Sequence, residues 1–518
     1  MCGIVGGVTK SHFQREDWIK ESLSALRHRG PDEEGMWMSN DQKVVLGHRR
    51  LSIVDLNSSS SQPMTKDSFH IVFNGEIYNY QEIRNELFEN GISLNSVGDT
   101  EVVLASYMTW GTACLDKFKG MFAFVVYDER KNELFAARDR AGEKPFYYFL
   151  DENQFFFGSE LKSILKAPGK ELYLDKTALN SYLSIGFAPG SQCLVEGFNK
   201  LKSGHYLTLD LNDWTHAIEE YWSLPKSAES KEMSRDQIES KTIELLQNSI
   251  RDQLKADVPV GVLLSGGLDS SIVAALASKE SENVKTFSIG FDVDSKYDET
   301  PYAKKVASYL GTEHTVLKAD KNVAAKLSEF IKHVDEPIMD SSMFPTWLVT
   351  NLVKQHCTVA LGGDGGDELF GGYKHYSRLL RIAKYSKFIP LGLRKVLRKL
   401  IIKLIPIGFR GRRYFIELFA NFETEIPRAA TYLYQEDIKR LLKFETPVTK
   451  ARKRTTKDYL YDLLRLDFIE YLQEDILVKV DRMSMMNSLE LRAPFLDHEL
   501  VSFAFEEIPS KYKVKENS

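Results

Sequence analysis

The chain is poor in cysteine and has no long hydrophobic segment. Its four cysteines, at positions 2, 114, 193 and 357, are scattered and form no C-x-x-C pair. This pattern argues against a disulfide framework or a zinc site and favours a reducing compartment. No apolar run is long enough to cross a bilayer, and the N-terminus lacks the basic and apolar segments of a secretory signal. We therefore expect a cytoplasmic protein.

The sequence also lacks a strong excess of charge of either sign. The formal net charge is −5 over 518 residues, with 43% hydrophobic and 27% charged residues, as in an ordinary globular protein. This balance gives no reason to expect nucleic acid or a membrane as an obligatory partner. The chain is too long for one hydrophobic core, so we expect two or three domains.

Up to about residue 210 the sequence is rich in short alternating or aromatic segments. These segments predict strands at 44–46, 69–73, 121–127 and 154–157. Two helices are predicted at 18–26 and 80–89. Turn residues predict turns at 74–75 and 128–130. Because strands dominate, we expect sheet layers covered by helices.

The second half alternates apolar strands with helices. A polar stretch at 227–234 predicts a linker or loop, and continuous apolar runs at 258–264, 285–290 and 358–361 predict buried parallel strands. Helices are predicted to open at 271 and to span 301–309. This order predicts a doubly wound parallel sheet, followed from about residue 374 by a mostly helical region.

The segment 374–414 carries many lysines and arginines and no acidic residue. Within it, 393–404 has the pattern of a basic amphipathic helix. One interpretation is contact with anionic lipid or with an acidic substrate. The other interpretation, which we favour, is a solvated helix face near a polyphosphate site.

The N-terminal run Met1-Cys2-Gly3 predicts a nucleophile. Removal of Met1 would leave Cys2 with a thiol and a free α-amine, whose pKa lies near neutrality, so the amine could accept the thiol proton. A buried cysteine at the start of a strand would fit the same three residues. Motifs farther along the chain favour the nucleophile.

Two glycine-rich segments predict a nucleotide site. The segment S-G-G-L-D-S-S at 265–271 lies between a buried strand and a helix, where backbone N–H groups and the helix N-terminus attract phosphate. It lacks the Gly-Lys-Ser/Thr ending of a Walker loop and has the form of the pyrophosphate-loop ATPases. The segment G-G-D-G-G-D-E at 362–368 should lie at the same sheet edge. Because carboxylates beside phosphate need a cation, we expect Asp269 and Asp367 to bind Mg²⁺.

Four runs in the first half suit an amide-processing site, at 27–32, 48–55, 74–79 and 98–101. An arginine can clamp a carboxylate, acidic groups can hold an ammonium, and an asparagine with the next backbone N–H can stabilise an oxyanion. With Cys2 and the 265–271 loop, these runs resemble the glutamine-hydrolysing asparagine synthetases (class B). The resemblance extends from Cys2 to about residue 510.

The resemblance implies a two-domain fold. It implies an α+β N-terminal-nucleophile domain with αββα layers at 2–210, which is a class II glutamine amidotransferase domain, and a linker at 211–235. At 236–518 it implies an α/β doubly wound pyrophosphate-loop ATPase domain with a helical C-terminal part. It also allows for a homodimer.

The resemblance also implies roles for individual residues. Cys2 would attack the glutamine amide, with Asn74 and Gly75 as the oxyanion hole, and Asp364 would serve acyl-adenylate formation. Glutamine would contact Arg50, Leu51, Ser52, Ile53, Val54, Asn74, Gly75, Glu76 and Asp99. ATP would contact Leu264, Ser265, Gly266, Gly267, Asp269, Ser270, Ile289, Gly362 and Gly363.

The implied reaction passes ammonia to a β-aspartyl-AMP made from aspartate and ATP. Two alternatives stay open, namely another carboxylate acceptor, such as a uronic-acid sugar of a surface polysaccharide, and a regulatory or binding homologue without synthesis. Members of this family usually continue past the P-F-L-D run at 494–497 with a lysine-bearing segment that we do not find here. We therefore expect the second domain to be C-terminally incomplete, which would impair amide formation more than glutamine hydrolysis.

Overall fold

The computed structural model describes the chain apart from residues 1, 14–16, 169–170, 227–232, 282, 291–297, 319–326, 429–430, 443, 445–446, 448–451 and 515–518. Met1 and most of the polar stretch predicted as a linker therefore lie outside the described residues. None of the described helices combines the length and apolarity needed to cross a membrane.

Two antiparallel sheets form the centre of the first domain. Their strands are β1 (Gly3–Thr9), β2 (Glu33–Met38), β3 (Val44–Arg50), β4 (Met64–Lys66), β5 (Phe69–Ile77), β6 (Gly120–Asp128), β7 (Glu133–Arg138), β8 (Tyr147–Leu150), β9 (Gln154–Gly158), β10 (Phe198–Lys200), β11 (His205–Asp210) and β12 (His216–Glu220). One sheet has the order β10-β8-β9-β1-β3-β2 and the other the order β12-β11-β7-β6-β5-β4.

Helices cover the outer face of each sheet. They are α1 (Asp17–Ala25), α2 (Tyr80–Glu89), α3 (Asp99–Trp110), α4 (Cys114–Lys117), α5 (Leu161–Ile164) and α6 (Lys176–Ile185). Along β5, Ile71 and Phe73 pack with α2 and α3, whereas Val72 packs between the two sheets. This period of two gives each sheet two buried faces, and the predicted αββα layers are confirmed.

One predicted turn is wrong. Asn74 and Gly75 lie inside β5, which pairs with β6 along its whole length. A Cβ on Gly75 would lie 2.2 Å from the carbonyl oxygen of Met121. Glycine at this position therefore permits the close approach of a neighbouring strand, where the sequence pattern suggested a reversal of the chain.

A five-stranded parallel sheet forms the centre of the second domain. Its strands are β13 (Val260–Leu263), β14 (Lys285–Gly290), β15 (Glu313–Lys318), β16 (Val359–Leu361) and β17 (Glu490–Arg492). They follow the order β15-β14-β13-β16-β17. The edge strand β17 pairs with β16, although it lies more than a hundred residues later in the sequence. The doubly wound sheet is confirmed.

Helices surround this sheet and predominate between β16 and β17. They are α7 (Arg235–Gln253), α8 (Leu268–Glu280), α9 (Thr300–Leu310), α10 (Leu327–His333), α11 (Met343–Val353), α12 (Gly366–Phe370), α13 (Lys374–Ser386), α14 (Leu391–Leu404), α15 (Arg412–Leu418), α16 (Gln435–Leu441), α17 (Tyr459–Leu466), α18 (Leu477–Met485) and α19 (His498–Glu506). A π-helical segment, Asp467–Ile476, joins α17 to α18.

The strand β12 lies in the range predicted as a linker, yet it pairs with β11 and extends the second sheet to Glu220. Its side chains are mostly exposed, so the segment lacks the hydrophobic alternation that would mark a strand in the sequence. The helix α7 begins at Arg235, one residue before the expected start of the second domain.

Candidate active sites

Cys2 and Asn74 come from different sheets and meet in the first domain. Cys2 immediately precedes β1, and Asn74 lies in β5 of the facing sheet. The backbone N–H of Cys2 donates a hydrogen bond to Asn74 Oδ1 at 3.0 Å. The Nδ2 group of Asn74 is buried and has no partner among the described residues. Beside a nucleophile, such a free donor suits a developing oxyanion.

The thiol of Cys2 needs a base at neutral pH. Burial raises the pKa of this thiol, although a backbone hydrogen bond from Leu51 and the charge of Arg50 partly offset the effect. His48 pairs with Ile4 in the adjacent strand, but burial lowers the pKa of His48 to about 3. The α-amine that removal of Met1 would free on Cys2 is therefore the base expected from this geometry.

The loop after β3 forms one wall of the predicted glutamine pocket. Arg50 ends β3 and donates to Glu33 Oε2 at 3.2 Å and to the carbonyl of Asn57 at 3.0 Å. These bonds fix its guanidinium within the loop. Leu51 and Ile53 are buried in a cluster with Val359 and Met485 of the second domain, while Ser52 and Val54 are half-buried. The pocket wall is thus also part of the domain interface.

Two buried carboxylates of the predicted glutamine site, Glu76 and Asp99, interact with each other. Asp99 Oδ2 accepts the backbone N–H of Ile77 at 3.0 Å, and Glu76 Oε2 lies 3.3 Å from Arg492 Nη2. Burial raises the pKa of Asp99 to about 6. Burial and the charge of Asp99 raise the pKa of Glu76 well above its usual value. A cation would relieve this repulsion, which is the property expected of an ammonium-binding site.

Arg492 connects this pocket with the second domain, and the sequence analysis assigned it no role. It lies on β17, where its Nε donates to Glu490 Oε1 at 2.6 Å. Its backbone carbonyl accepts the N–H of Gly362 at 2.8 Å. One residue therefore contacts both the predicted glutamine pocket and the second glycine loop. In the sequence, Arg492 lies just before the P-F-L-D run at 494–497, but only the fold pairs this arginine with Glu76.

Arg29 lies in the run 27–32 that suits an amide-processing site, but nothing in the sequence assigned it an individual role. It is fully buried and donates through Nε to the carbonyl of Cys2 at 3.1 Å. Its Nη1 and Nη2 groups bind Asp481 of α18 at 2.8 and 3.0 Å. Bidentate pairing of this kind is geometrically specific, so Arg29 holds the nucleophile segment against the second domain.

The two glycine-rich loops line a cavity of about 1070 Å³ in the second domain. From the predicted ATP-binding set, the lining includes Ser265, Gly267, Asp269, Ser270, Gly362 and Gly363. The helix α8 opens at Leu268, so its N-terminus faces this space together with the loop. Both loops lie at the same sheet edge, as predicted.

Three predicted ATP contacts lie outside the cavity lining. Leu264 is buried and Ile289 packs against the cluster around Phe330 and Trp347. Gly266 has φ +86°, and a Cβ there would lie 2.6 Å from the backbone N of Ala303. This glycine lets the loop turn tightly against α9, so its role is to shape the loop without lining the cavity.

Acidic groups converge on one side of this cavity. Asp269, Asp364 and Asp367 all belong to its lining. Burial, with the charges of Asp367 and Asp364, raises the pKa of Asp269 to about 6, and burial raises the pKa of Asp364 and of Asp367. The described residues contain no cluster of three or more metal-ligating side chains. Two carboxylates completed by phosphate oxygens would still suit Mg²⁺.

Basic side chains also line this cavity. Lys511 and Lys513 belong to its lining, and Lys513 Nζ donates to the carbonyl of Ala504 at 2.6 Å. Burial lowers the pKa of Lys513 to about 7. In the sequence, this segment stands out only by its departure from the family pattern. Nothing local in it indicated that α19 returns the chain to the nucleotide cavity.

Family profiles match both domains. A profile described as a glutamine amidotransferase domain matches residues 1–222, and one described as asparagine synthase matches residues 241–518. The chain belongs to the glutamine-hydrolysing asparagine synthetase family. It is 34% identical over 532 residues to asparagine synthetase [glutamine-hydrolyzing] 1 of Bacillus subtilis, covering 99% of this chain and 82% of that protein.

Other members of the synthetase family show similar agreement. The putative asparagine synthetase [glutamine-hydrolyzing] 2 of Methanocaldococcus jannaschii is 34% identical over 523 residues, covering 96% of this chain and all of that protein.

The solved glutamine phosphoribosylpyrophosphate amidotransferase of B. subtilis is 14% identical with a TM-score of 0.33, covering 70% of this chain and 75% of that one. That structural likeness is too weak to support any inference about this synthetase.

Proposed function

We propose that this chain hydrolyses glutamine in its first domain and uses the ammonia to make asparagine from aspartate and ATP in its second. The products would be asparagine, glutamate, AMP and pyrophosphate. The observation that carries the first half is the contact of Cys2 with Asn74, whose buried Nδ2 has no hydrogen-bond partner among the described residues. The shared cavity of the two glycine loops supports the second half.

In the first step, the Cys2 thiolate adds to the amide carbon of glutamine. The α-amine of Cys2 takes the thiol proton and returns it to the departing nitrogen, so ammonia leaves and a thioester forms. Asn74 Nδ2 and the Gly75 N–H would stabilise the oxyanion before the bond breaks. Water then releases glutamate. Arg50 would hold the substrate carboxylate, and Glu76 with Asp99 its ammonium.

In the second step, the aspartate side-chain carboxylate attacks the α-phosphate of ATP and pyrophosphate leaves. Ser265, Ser270 and the N-terminus of α8 would hold phosphate oxygens, and Asp364 would serve the acyl-adenylate step. Ammonia then replaces AMP on the acyl carbon. Its route would lead from Cys2 past the interface cluster of Leu51, Ile53 and Met485.

Mg²⁺ is the metal that fits the acidic side of the cavity. Asp269 and Asp367 would hold it together with phosphate oxygens, because both carboxylates line the cavity beside the two glycine loops. When bound, the metal would neutralise charge on the phosphates. Calorimetric titration with Mg²⁺ and ATP should show weaker binding for Asp367→Asn, while glutamine hydrolysis stays at the parent rate. Equal binding by parent and variant would remove Asp367 from this role.

Cys2→Ala tests the proposed division of labour. The variant should lose glutamine hydrolysis and still form asparagine from free ammonium ion, aspartate and ATP. Amino-acid analysis with either nitrogen source gives both rates, and Cys114→Ala is the matched control because Cys114 is buried in another core. Loss of synthesis with ammonia as well, in a folded variant, would contradict separate sites.

Acceptor identity is tested by pyrophosphate release. Aspartate should give a signal with ATP, and a uronic acid should give none. Release with the uronic acid and not with aspartate would favour the alternative acceptor.

We also propose a cytoplasmic location, which rests on four cysteines that are all unpaired. Homodimer formation stays a prediction.

A further inference from the structure

Helix α14 exposes a row of apolar side chains. Leu393, Val396, Leu400 and Leu404 follow one another at spacings of three or four residues, which places them on one helix face. They are between 44% and 69% exposed, and Phe388, just before the helix, is 83% exposed. Scattered apolar side chains on a surface need no explanation, but an ordered row on one helix does.

The opposite face of α14 holds the helix to the protein. Arg394 is buried and donates to the carbonyls of Ile389 at 2.6 Å and Ala420 at 3.4 Å. Ile402 is also buried, and its carbonyl accepts Arg412 Nη2 at 3.1 Å. This buried face is thus sufficient to pack α14 against the rest of the protein. The apolar row is not needed to attach the helix.

Lysines run beside the apolar row. Lys395, Lys399 and Lys403 repeat every four residues, are exposed, and form no ion pair within the described part of the chain. The sequence has no acidic residue between Glu368 and Glu417. The described lining of the nucleotide cavity includes no residue of 374–414, so the polyphosphate interpretation of this basic segment finds no support in the structure.

We propose that this face of α14, from Leu393 to Leu404, binds the surface of an anionic lipid bilayer. The apolar row would enter the boundary between headgroups and acyl chains, and the lysine row would meet the headgroup phosphates. A nucleic acid would pair with the lysines and leave the leucines in water. A symmetric contact with a second copy would bring the same lysines together, because such an interface is self-complementary.

Sedimentation of the full chain with vesicles tests this proposal. The protein should sediment with vesicles of phosphatidylcholine mixed with phosphatidylglycerol, stay in solution with phosphatidylcholine alone, and be released by high salt. One variant combines Val396→Ser, Leu400→Ser and Leu404→Ser, and another combines Lys395→Glu, Lys399→Glu and Lys403→Glu. Each should weaken binding roughly tenfold or more.

A matched control carries the same change of charge elsewhere. It combines Lys20→Glu, Lys131→Glu and Lys202→Glu, three exposed lysines of the first domain, and it should bind vesicles as the parent does. Calorimetric binding of Mg²⁺ and ATP by every variant verifies that the second domain, which carries α14, is folded, and glutamine hydrolysis verifies the first domain.

Four results would overturn the proposal. These are no binding to anionic vesicles, equal binding to neutral vesicles, parent-like binding by the serine variant, and equal loss in the charge control. Sedimentation velocity without lipid adds a further test. A parent dimer that the serine variant converts to a monomer would assign this face to a second copy.

Discussion

At the scale of single residues, the pocket around Glu76 and Asp99 stores unfavourable electrostatic energy. Both carboxylates are almost fully buried, at 5% and 7% exposure, and each has a raised pKa. Arg492 offsets part of the charge, since its guanidinium lies 3.3 Å from Glu76. A site that lacks positive charge in this way is suited to gain it from the ammonium group of a substrate.

Asp99→Asn should stabilise the folded protein at neutral pH. The pKa of Asp99 is about 6 in the folded state, above its ordinary value of 3.8. Stability therefore rises as pH falls between these values, because the native state takes up the proton first. Above pH 6 the ionised group costs about 3 kcal/mol. Asparagine keeps an acceptor for the Ile77 N–H and removes that cost, which urea unfolding at pH 7 and pH 5 would measure.

The same variant should lose glutamine use. For the parent, kcat/KM for glutamine should rise with pH through a limb near 6, because the ionised form binds the ammonium. The variant should lack this limb and keep its ammonia-dependent synthesis. A less stable variant at pH 7, or an unchanged KM for glutamine, would contradict the assigned role.

At the scale of elements, the three-residue strand β17 joins two sites. The side chain of Arg492 contacts Glu76, and its carbonyl holds Gly362 of the second glycine loop. Its Nη1 also donates to the carbonyls of Gln253 and Lys255, at 2.6 and 2.8 Å, at the end of α7. A short edge strand can therefore fix a pocket wall in another domain.

Arg492→Lys should raise the KM for glutamine roughly tenfold, because a lysine is a single point charge and cannot serve Glu490, Glu76 and two carbonyls together. Synthesis from ammonia should change less, since the backbone bond to Gly362 remains. Steady-state kinetics with each nitrogen source would show the split. Arg251→Lys, in an exposed pair with Glu280, is the matched control, and equal effects of both variants would argue against a positioning role.

At the scale of the whole molecule, the first domain is held to the second through buried charge. Arg29 binds Asp481 in bidentate fashion and also holds the carbonyl of Cys2. The apolar cluster around Leu51 and Met485 adds to the same interface. The nucleophile is therefore positioned partly by the domain that would consume its product.

Asp481→Asn should lower the amount of asparagine formed per glutamine hydrolysed. The change removes one charge of a buried pair, which costs about 3 kcal/mol, and loosens the interface through which ammonia would pass. The ratio of glutamate to asparagine measures the leak, and Glu280→Gln on the surface should leave the ratio unchanged. A ratio equal to that of the parent would show that this contact does not seal the interface.

Local pattern predicted much of this protein. The strand β14 has the expected bounds 285–290, and both glycine loops lie at one sheet edge as expected, because strand propensity and loop chemistry act between near neighbours. The prediction failed for Asn74-Gly75, where contact with another strand outweighs turn preference. It also failed for β12, whose exposed side chains leave no hydrophobic alternation to detect.

The amino-acid sequence by itself determined the chemical groups, their order and the family. The tertiary structure decided which of those groups meet. Arg29 and Asp481 are separated by 452 positions, and Glu76 and Arg492 by 416, so no local signal links either pair. Burial, which sets the pKa of Asp99 and leaves the leucines of α14 in water, is a property of the packed chain and arises only when distant segments come together.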